Sequence, residues 1–207
     1  LRRIGRLPRE KAVQIARQLC AGVAAAHEQG ILHRDLKPAN VMLDGRGRVR
    51  ITDFGLAGLA EGIEGVDIRA GTPQYMSPEQ AQRQPVDVRS DLYSLGCTLY
   101  FLLTDQRPYG GKTFMEKVLA HREAEIPSLR EMREDVSPEL EATVARMMAK
   151  NPEDRYPSMA AVIEALQRCR GEQEPASAGP PAGADAGPPA PPAVMTQAGS
   201  ADGAVVA

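Results

Sequence analysis

The sequence predicts a mainly α fold, a helical bundle that carries one small β-hairpin. Three observations predict it. Apolar residues recur at helical spacing in five segments between Leu1 and Arg170. Two short apolar runs, Asn40 to Leu43 and Val49 to Thr52, flank Asp44-Gly45-Arg46-Gly47, a sequence suited to a tight turn. Near Gly171 the composition changes to Pro, Ala and Gly with scattered Ser and Asp, and such a stretch cannot bury enough apolar surface to offset its ordering entropy. The division expected is one domain over residues 1–170 and a disordered Pro/Ala/Gly-rich tail over residues 171–207.

The first helix is expected to begin at Pro8, whose fixed φ suits a helix start. Val13, Ala16, Leu19, Cys20, Val23 and Ala26 then follow at helical spacing, and Gly30 supplies the stop. The hairpin comes next. An irregular stretch runs to about Val88. Helical patterns then cover Ser90–Thr104, Lys112–Arg122, Pro138–Ala149 and Ser158–Cys169, each with a Ser, Thr, Pro or Gly near its start.

The chain has 207 residues, a net charge of −2 and no tryptophan, so the core must be mostly aliphatic. No basic tract marks a nucleic-acid footprint, and none is expected as a partner. Cys20, Cys97 and Cys169 match no metal-ligand spacing and read as buried thiols, a usage that fits a reducing, cytoplasmic setting. The opening residues contain no apolar signal-peptide core. The longest apolar run, Leu92 to Leu103, is interrupted by Ser94, Gly96 and Thr98 and falls short of the roughly 20 residues a bilayer requires. It reads as a central buried helix, and no membrane segment is expected.

The chemistry is concentrated around the hairpin. His33-Arg34-Asp35-Leu36-Lys37-Pro38-Ala39-Asn40 precedes the first strand, and Asp53-Phe54-Gly55 follows the second. The two loops therefore fall side by side at one end of the hairpin. Phosphoryl transfer to a hydroxyl needs a group to orient the acceptor, cations on the phosphate oxygens and metal ligands nearby. Asp35 supplies a carboxylate for the hydroxyl proton. Lys37 supplies a positive charge for the phosphoryl group. Asn40 offers an amide oxygen and Asp53 an anionic one, both suited to magnesium.

With these residues in place, the chain resembles the eukaryotic-type protein kinase superfamily from about Ile4 to Arg170, in the part that forms that family's C-terminal lobe. The two motifs match its catalytic loop and metal-binding triad in order and separation. Gly71-Thr72-Pro73-Gln74-Tyr75-Met76-Ser77-Pro78-Glu79 resembles the end of the activation segment, with Ser-Pro-Glu where Ala-Pro-Glu is commoner. Asp91-Leu92-Tyr93-Ser94-Leu95-Gly96 resembles the start of the central buried helix, and Asn151-Pro152-Glu153-Asp154-Arg155 the loop with a structural arginine. The resemblance implies ATP and Mg2+ as cofactors and protein Ser/Thr hydroxyls as acceptors. It places catalysis on Asp35, Lys37, Asn40, Asp53 and Thr72, nucleotide binding on Lys37, Asn40, Met42 and Asp53, and the metal on Asn40 and Asp53. It implies a buried Glu79–Arg155 ion pair, an Asp91 that holds the catalytic-loop backbone, and a structural His33 stacked with Phe54. Lys37 in Asp-Leu-Lys-Pro is the Ser/Thr form of the loop. The strings His27-Glu28-Gln29-Gly30-Ile31 and Tyr75-Met76-Ser77-Pro78-Glu79-Gln80 have a bacterial look.

Two departures qualify the resemblance. No Gly-x-Gly-x-x-Gly precedes His33, and the only lysine there is Lys11, in a polar position. The upper lobe of such kinases, which covers ATP, is therefore expected to be missing, and the isolated chain to be weakly active or inactive. The second departure is that Leu56 to Gly71 holds no Ser, Thr or Tyr but does hold Glu61, Glu64 and Asp67; the two readings are that one of these carboxylates stands in for a phosphate beside Arg34 and that the stretch is a solvated flexible loop. The competing function is a catalytically silent binding or scaffold fragment.

Overall fold

The computed structural model describes residues 5–54 and 73–169. Thr72, the acidic segment containing Glu61, Glu64 and Asp67, and the tail over residues 171–207 lie outside the described residues. Helix α1 spans Arg9–His27. Its buried stripe of Ala12, Val13, Ile15, Ala16, Leu19, Cys20 and Val23 is the one the apolar spacing marks. Gly30 ends the helix: its φ of 72° turns the chain, and the Ile31 N–H reaches back to the Ala26 carbonyl at 2.9 Å.

Strands β1 (Val41–Leu43) and β2 (Val49–Ile51) pair antiparallel, with Val41 opposite Ile51 and Leu43 opposite Val49. They are one residue shorter at the outer ends than the apolar runs suggest. Asn40 belongs instead to a 3-10 turn, Pro38–Asn40, whose carbonyl accepts from Thr52 N at 3.0 Å. The Asp44 carboxylate closes the hairpin turn by accepting from the N–H groups of Arg46 and Arg48.

The irregular stretch before Val88 contains a 3-10 turn at Pro73–Tyr75 and a short helix α2 (Pro78–Ala81). Ser77 and Gln80 cap α2 reciprocally. Helix α3 (Val88–Thr104) is the centre of the fold. Asp87 caps it by accepting from Arg89 N, so it starts two residues before the apolar pattern does. Leu92, Tyr93, Leu95, Cys97, Leu99, Leu102 and Leu103 are almost fully enclosed, as the reading of a central buried helix requires.

Four more helices complete the described bundle: α4 (Phe114–Glu123), α5 (Leu129–Met132), α6 (Pro138–Met147) and α7 (Met159–Arg168). Thr113, Ser128, Ser137 and Ser158 cap them. The four-residue α5 is too short to leave a periodic signal in the sequence. Gly96 on α3 permits close approach of α6, because a Cβ there would sit 2.8 Å from Met148 Cγ and 3.0 Å from Met147 Cβ. Cys20 and Cys97 are buried thiols, each pushed up to about 12 by burial. Cys169 differs from its expectation: at the end of α7 it is only half-buried, touching Thr143 and the Ala165 carbonyl. No described helix is long and apolar enough to cross a membrane.

Candidate active site

The loop from His33 to Asn40 is held from below by α3. Asp91, 1% exposed, accepts the His33 N–H on Oδ2 at 2.8 Å and the Arg34 N–H on Oδ1 at 2.7 Å. A third partner, which the sequence reading did not assign, is His27 Nε2 at 2.7 Å from Asp91 Oδ2. The end of α1 thus joins the same carboxylate. The Gln80 amide of α2 donates to the Arg34 carbonyl at 2.8 Å, tying the loop to the segment after Thr72.

His33 is fully buried and acts through geometry. Its Nε2 lies 3.1 Å from the Thr52 carbonyl and its Nδ1 3.4 Å from Asp35 N. A carbonyl only accepts, so the proton resides on Nε2 and the unprotonated Nδ1 faces the Asp35 N–H. The ring lies 4.6 Å, centroid to centroid, from that of Phe54, at 45°. This aromatic pair links the first motif to the second, and the Thr52 main chain does the same between Asn40 and Asp53.

Asp35, Lys37 and Asn40 converge. Lys37 Nζ lies 2.5 Å and Asn40 Nδ2 3.1 Å from Asp35 Oδ2. Asn40 Nδ2 also reaches the Asp35 carbonyl at 2.9 Å. Both donors therefore act on one carboxylate oxygen, and among the described residues Oδ1 accepts no hydrogen bond. Lys37 and Asp35 keep 16% and 34% of their side-chain surface, enough for a solute to reach them.

Asn40 directs its amide nitrogen at Asp35, which leaves its amide oxygen without a donor among the described residues. Asp53 has a φ of 63° and is exposed, and one of its oxygens accepts from Thr52 Oγ1 at 3.1 Å. The donor set is thus one neutral and one anionic oxygen, without sulfur or imidazole. That chemistry fits magnesium, whose other ligands come from phosphate oxygens and water. No cluster of three or more His, Cys, Asp or Glu side chains suited to a metal occurs among the described residues. Met42, expected to contact adenine, stands 53% exposed on β1.

A cleft of about 350 Å3 opens beside Lys37. The Lys37-Pro38-Ala39 segment, Gln74 and Tyr75, and Phe101 and Arg107 line it. Beneath α2, Arg155 makes a two-pronged pair with Glu79, Nη1–Oε1 at 2.7 Å and Nη2–Oε2 at 2.9 Å, with 0% and 5% of the side chains exposed. Ser90 Oγ adds a donor to Glu79 at 2.6 Å. Burial pushes the Glu79 carboxyl up, but Arg155 and Ser90 together outweigh it and hold it below its usual range. The resemblance predicts this pair and the Asp91 anchor, and both are present.

Comparison with known proteins agrees with this geometry. A profile described as "Protein kinase domain" matches residues 1–166. The chain belongs to the protein kinase family. It is 40% identical over 175 residues to serine/threonine-protein kinase PknB of Mycobacterium leprae, a match covering 83% of this chain and 28% of that protein. It is 41% identical to serine/threonine-protein kinase Pkn1 of Myxococcus xanthus over 162 residues, covering 75% of this chain and 23% of the relative. The chain thus spans only about a quarter of the length of these curated kinases, which bear out the bacterial look. Among solved structures, Rad53 in complex with AMP-PNP superposes with a TM-score of 0.66 at 27% identity, over 79% of this chain and 41% of that one. Thr72 lies outside the described residues, as does the acidic segment expected beside Arg34.

Proposed function

We propose that this chain supplies the catalytic and metal-binding half of a Ser/Thr protein kinase site, which transfers the γ-phosphoryl group of ATP to serine and threonine hydroxyls of proteins. The observation that carries the reading is the asymmetry of Asp35. Oδ2 is taken by Lys37 and Asn40, while Oδ1 is left to accept the hydrogen of an incoming hydroxyl. The acceptor oxygen then forms its bond to the γ-phosphorus as the bond from that phosphorus to the bridging oxygen of ADP breaks, and the hydroxyl proton passes to Asp35. The Lys37 ammonium, already beside Asp35, faces the negative charge on the phosphoryl oxygens.

Asn40 Oδ1 and Asp53 would hold magnesium, which when bound neutralises charge on the phosphates. Met42 offers the apolar surface on which adenine rests, and Thr72 is assigned to the acceptor side next to Asp35 and Lys37. The Ser/Thr class is supported by Lys37 and by the relatives, which are serine/threonine-protein kinases. A cytoplasmic setting fits the free thiols.

The exposure of Met42 supports a further part of the reading. Adenine on β1 would have a floor but, among the described residues, no cover. Positioning of reactants is worth up to about 7–11 kcal/mol of barrier, so the chain by itself should turn over slowly. The test is phosphotransfer by the purified chain with Mg-ATP and matched serine, threonine and tyrosine peptides, alongside binding of Mn-ATP read by paramagnetic broadening. Slow transfer confined to serine and threonine, reduced about 100-fold or more by Asp35→Asn, is expected. Mn-ATP should broaden the Asn40 side-chain signals, and Asp53→Ala should remove that effect. Transfer indifferent to Asp35, or Mn-ATP that leaves Asn40 unaffected, overturns the reading. Nucleotide binding without any transfer would favour the silent binding fragment.

A further inference from the structure

The cleft beside Lys37 carries a charge pattern that the transfer reaction does not require. Among the described residues its lining includes two cations, Lys37 and Arg107, and no carboxylate. Lys37 is committed to Asp35. Arg107 is exposed and makes no hydrogen bond or ion pair with any other described residue; Asp105, two positions earlier, leaves it alone.

The backbone that presents Arg107 is firmly held. Thr104 Oγ1 lies 2.9 and 3.1 Å from the carbonyls of Tyr100 and Gln106, which share its one hydrogen, and accepts from the Gln106 N–H at 3.1 Å. On the other side Pro108 and Tyr109 are buried, and the Tyr109 hydroxyl accepts from Lys150 at 2.9 Å. The guanidinium is thus an unspent fork of donors on a fixed support. The other described lining residues carry no charge: Pro38, Ala39 and Phe101 have no polar side-chain atom, and Gln74 and Tyr75 are neutral.

We infer that Arg107 is a specificity determinant of the peptide cleft, selecting protein segments with aspartate or glutamate close to the acceptor serine or threonine and disfavouring segments with lysine or arginine there. The inference rests on the kinase reading for the word acceptor but not for the binding preference itself. A carboxylate meets the guanidinium in the paired geometry that arginine favours. A basic residue meets like charge and, among the described lining residues, no anionic partner, which supplies the rejection.

The test uses the full chain and two fluorescent nonapeptides of alanine and glycine with a central serine, one flanked by glutamates and the other by lysines. Fluorescence anisotropy reads binding without turnover. At low salt the glutamate peptide should bind about 3- to 10-fold tighter, as expected for a partly exposed charge pair, and the ratio should shrink as salt rises. Arg107→Ala should bring the ratio close to one and Arg107→Glu should invert it, both with unchanged thermal unfolding because the side chain is exposed. Equal binding of the two peptides, no binding of either, or a preference that survives Arg107→Glu overturns the inference. The two readings fail separately. Asp35-dependent transfer without an acidic preference leaves the kinase reading standing and removes Arg107. An Arg107-dependent preference without transfer does the reverse.

Discussion

Asp91 Oδ1 accepts the main-chain N–H of Arg34 at 2.7 Å, and Arg34 holds a φ of 65°. A non-glycine residue in the left-handed region is strained. The buried carboxylate compensates for this one residue before Asp35, and it also accepts from His33 N and contacts His27. The position of Asp35 is thereby set by a residue 56 positions later in the chain.

Asp91→Ala should therefore release the loop and strand two buried N–H groups. Each group costs about 1–3 kcal/mol when unsatisfied, so a loss of roughly 2–6 kcal/mol in urea unfolding is expected. Asp91→Asn, which retains one acceptor oxygen, should lose less. Equal stability of wild type and Asp91→Ala would contradict the anchoring role.

Arg155→Ala should destabilise by about 3–5 kcal/mol, because it leaves the Glu79 carboxylate buried without its partner. Arg155 also donates to the carbonyls of Ala149, Arg89 and Lys150. A double-mutant cycle with Glu79→Gln should accordingly recover only part of the loss. A coupling energy near zero would show that the pair contributes nothing.

Gly96→Ala should destabilise by about 1–3 kcal/mol, the usual cost of overpacking. The new methyl would press against Met147 and Met148. Pairing it with Met148→Ala should recover part of the stability. No recovery would mean that α6 yields elsewhere.

Stability should fall with acid over a window set by His121. Burial, and next the Lys150 ammonium, lower its pKa from 6.5 to about 4. The unfolded chain therefore binds a proton near pH 6.5 that the folded chain refuses until about pH 4. Stability is full above pH 6.5 and declines between those values, by about 3 kcal/mol in all. Glu79 adds to the loss further down, since its lowered carboxyl contributes above its unfolded value of 4.5 and gives way as pH falls through its folded one. In His121→Gln the part of the decline above pH 4.5 should disappear. A decline unchanged in that variant would assign it to other groups.

Much of the bundle was legible because each signal was local. The stripe on α1, the stop at Gly30, the caps of α4, α6 and α7 and the hairpin turn arise from residues within a turn or two of one another. Helix α5 escaped because four residues carry no period. Cys169 is half-buried where the apolar pattern predicts a buried thiol, because that pattern does not tell how far the last turn of a helix emerges from the core. Nothing within α1 indicates that the His27 ring meets Asp91, because the partner lies on α3 and only packing brings the two together.

The sequence by itself determined the fold class, the family and the chemical inventory: a carboxylate, an ammonium and two hard oxygens in two loops at the ends of one hairpin. Those follow from residue type and spacing, which are properties of the chain in one dimension. Only the tertiary structure decided which oxygen of Asp35 is occupied by Lys37 and Asn40, that Asn40 turns its amide nitrogen toward Asp35, and that Arg107 lines the cleft without an anionic partner among the described residues. Hydrogen bonding and charge balance depend on distances of a few ångströms between residues far apart in sequence, and only packing around α3 brings those residues together.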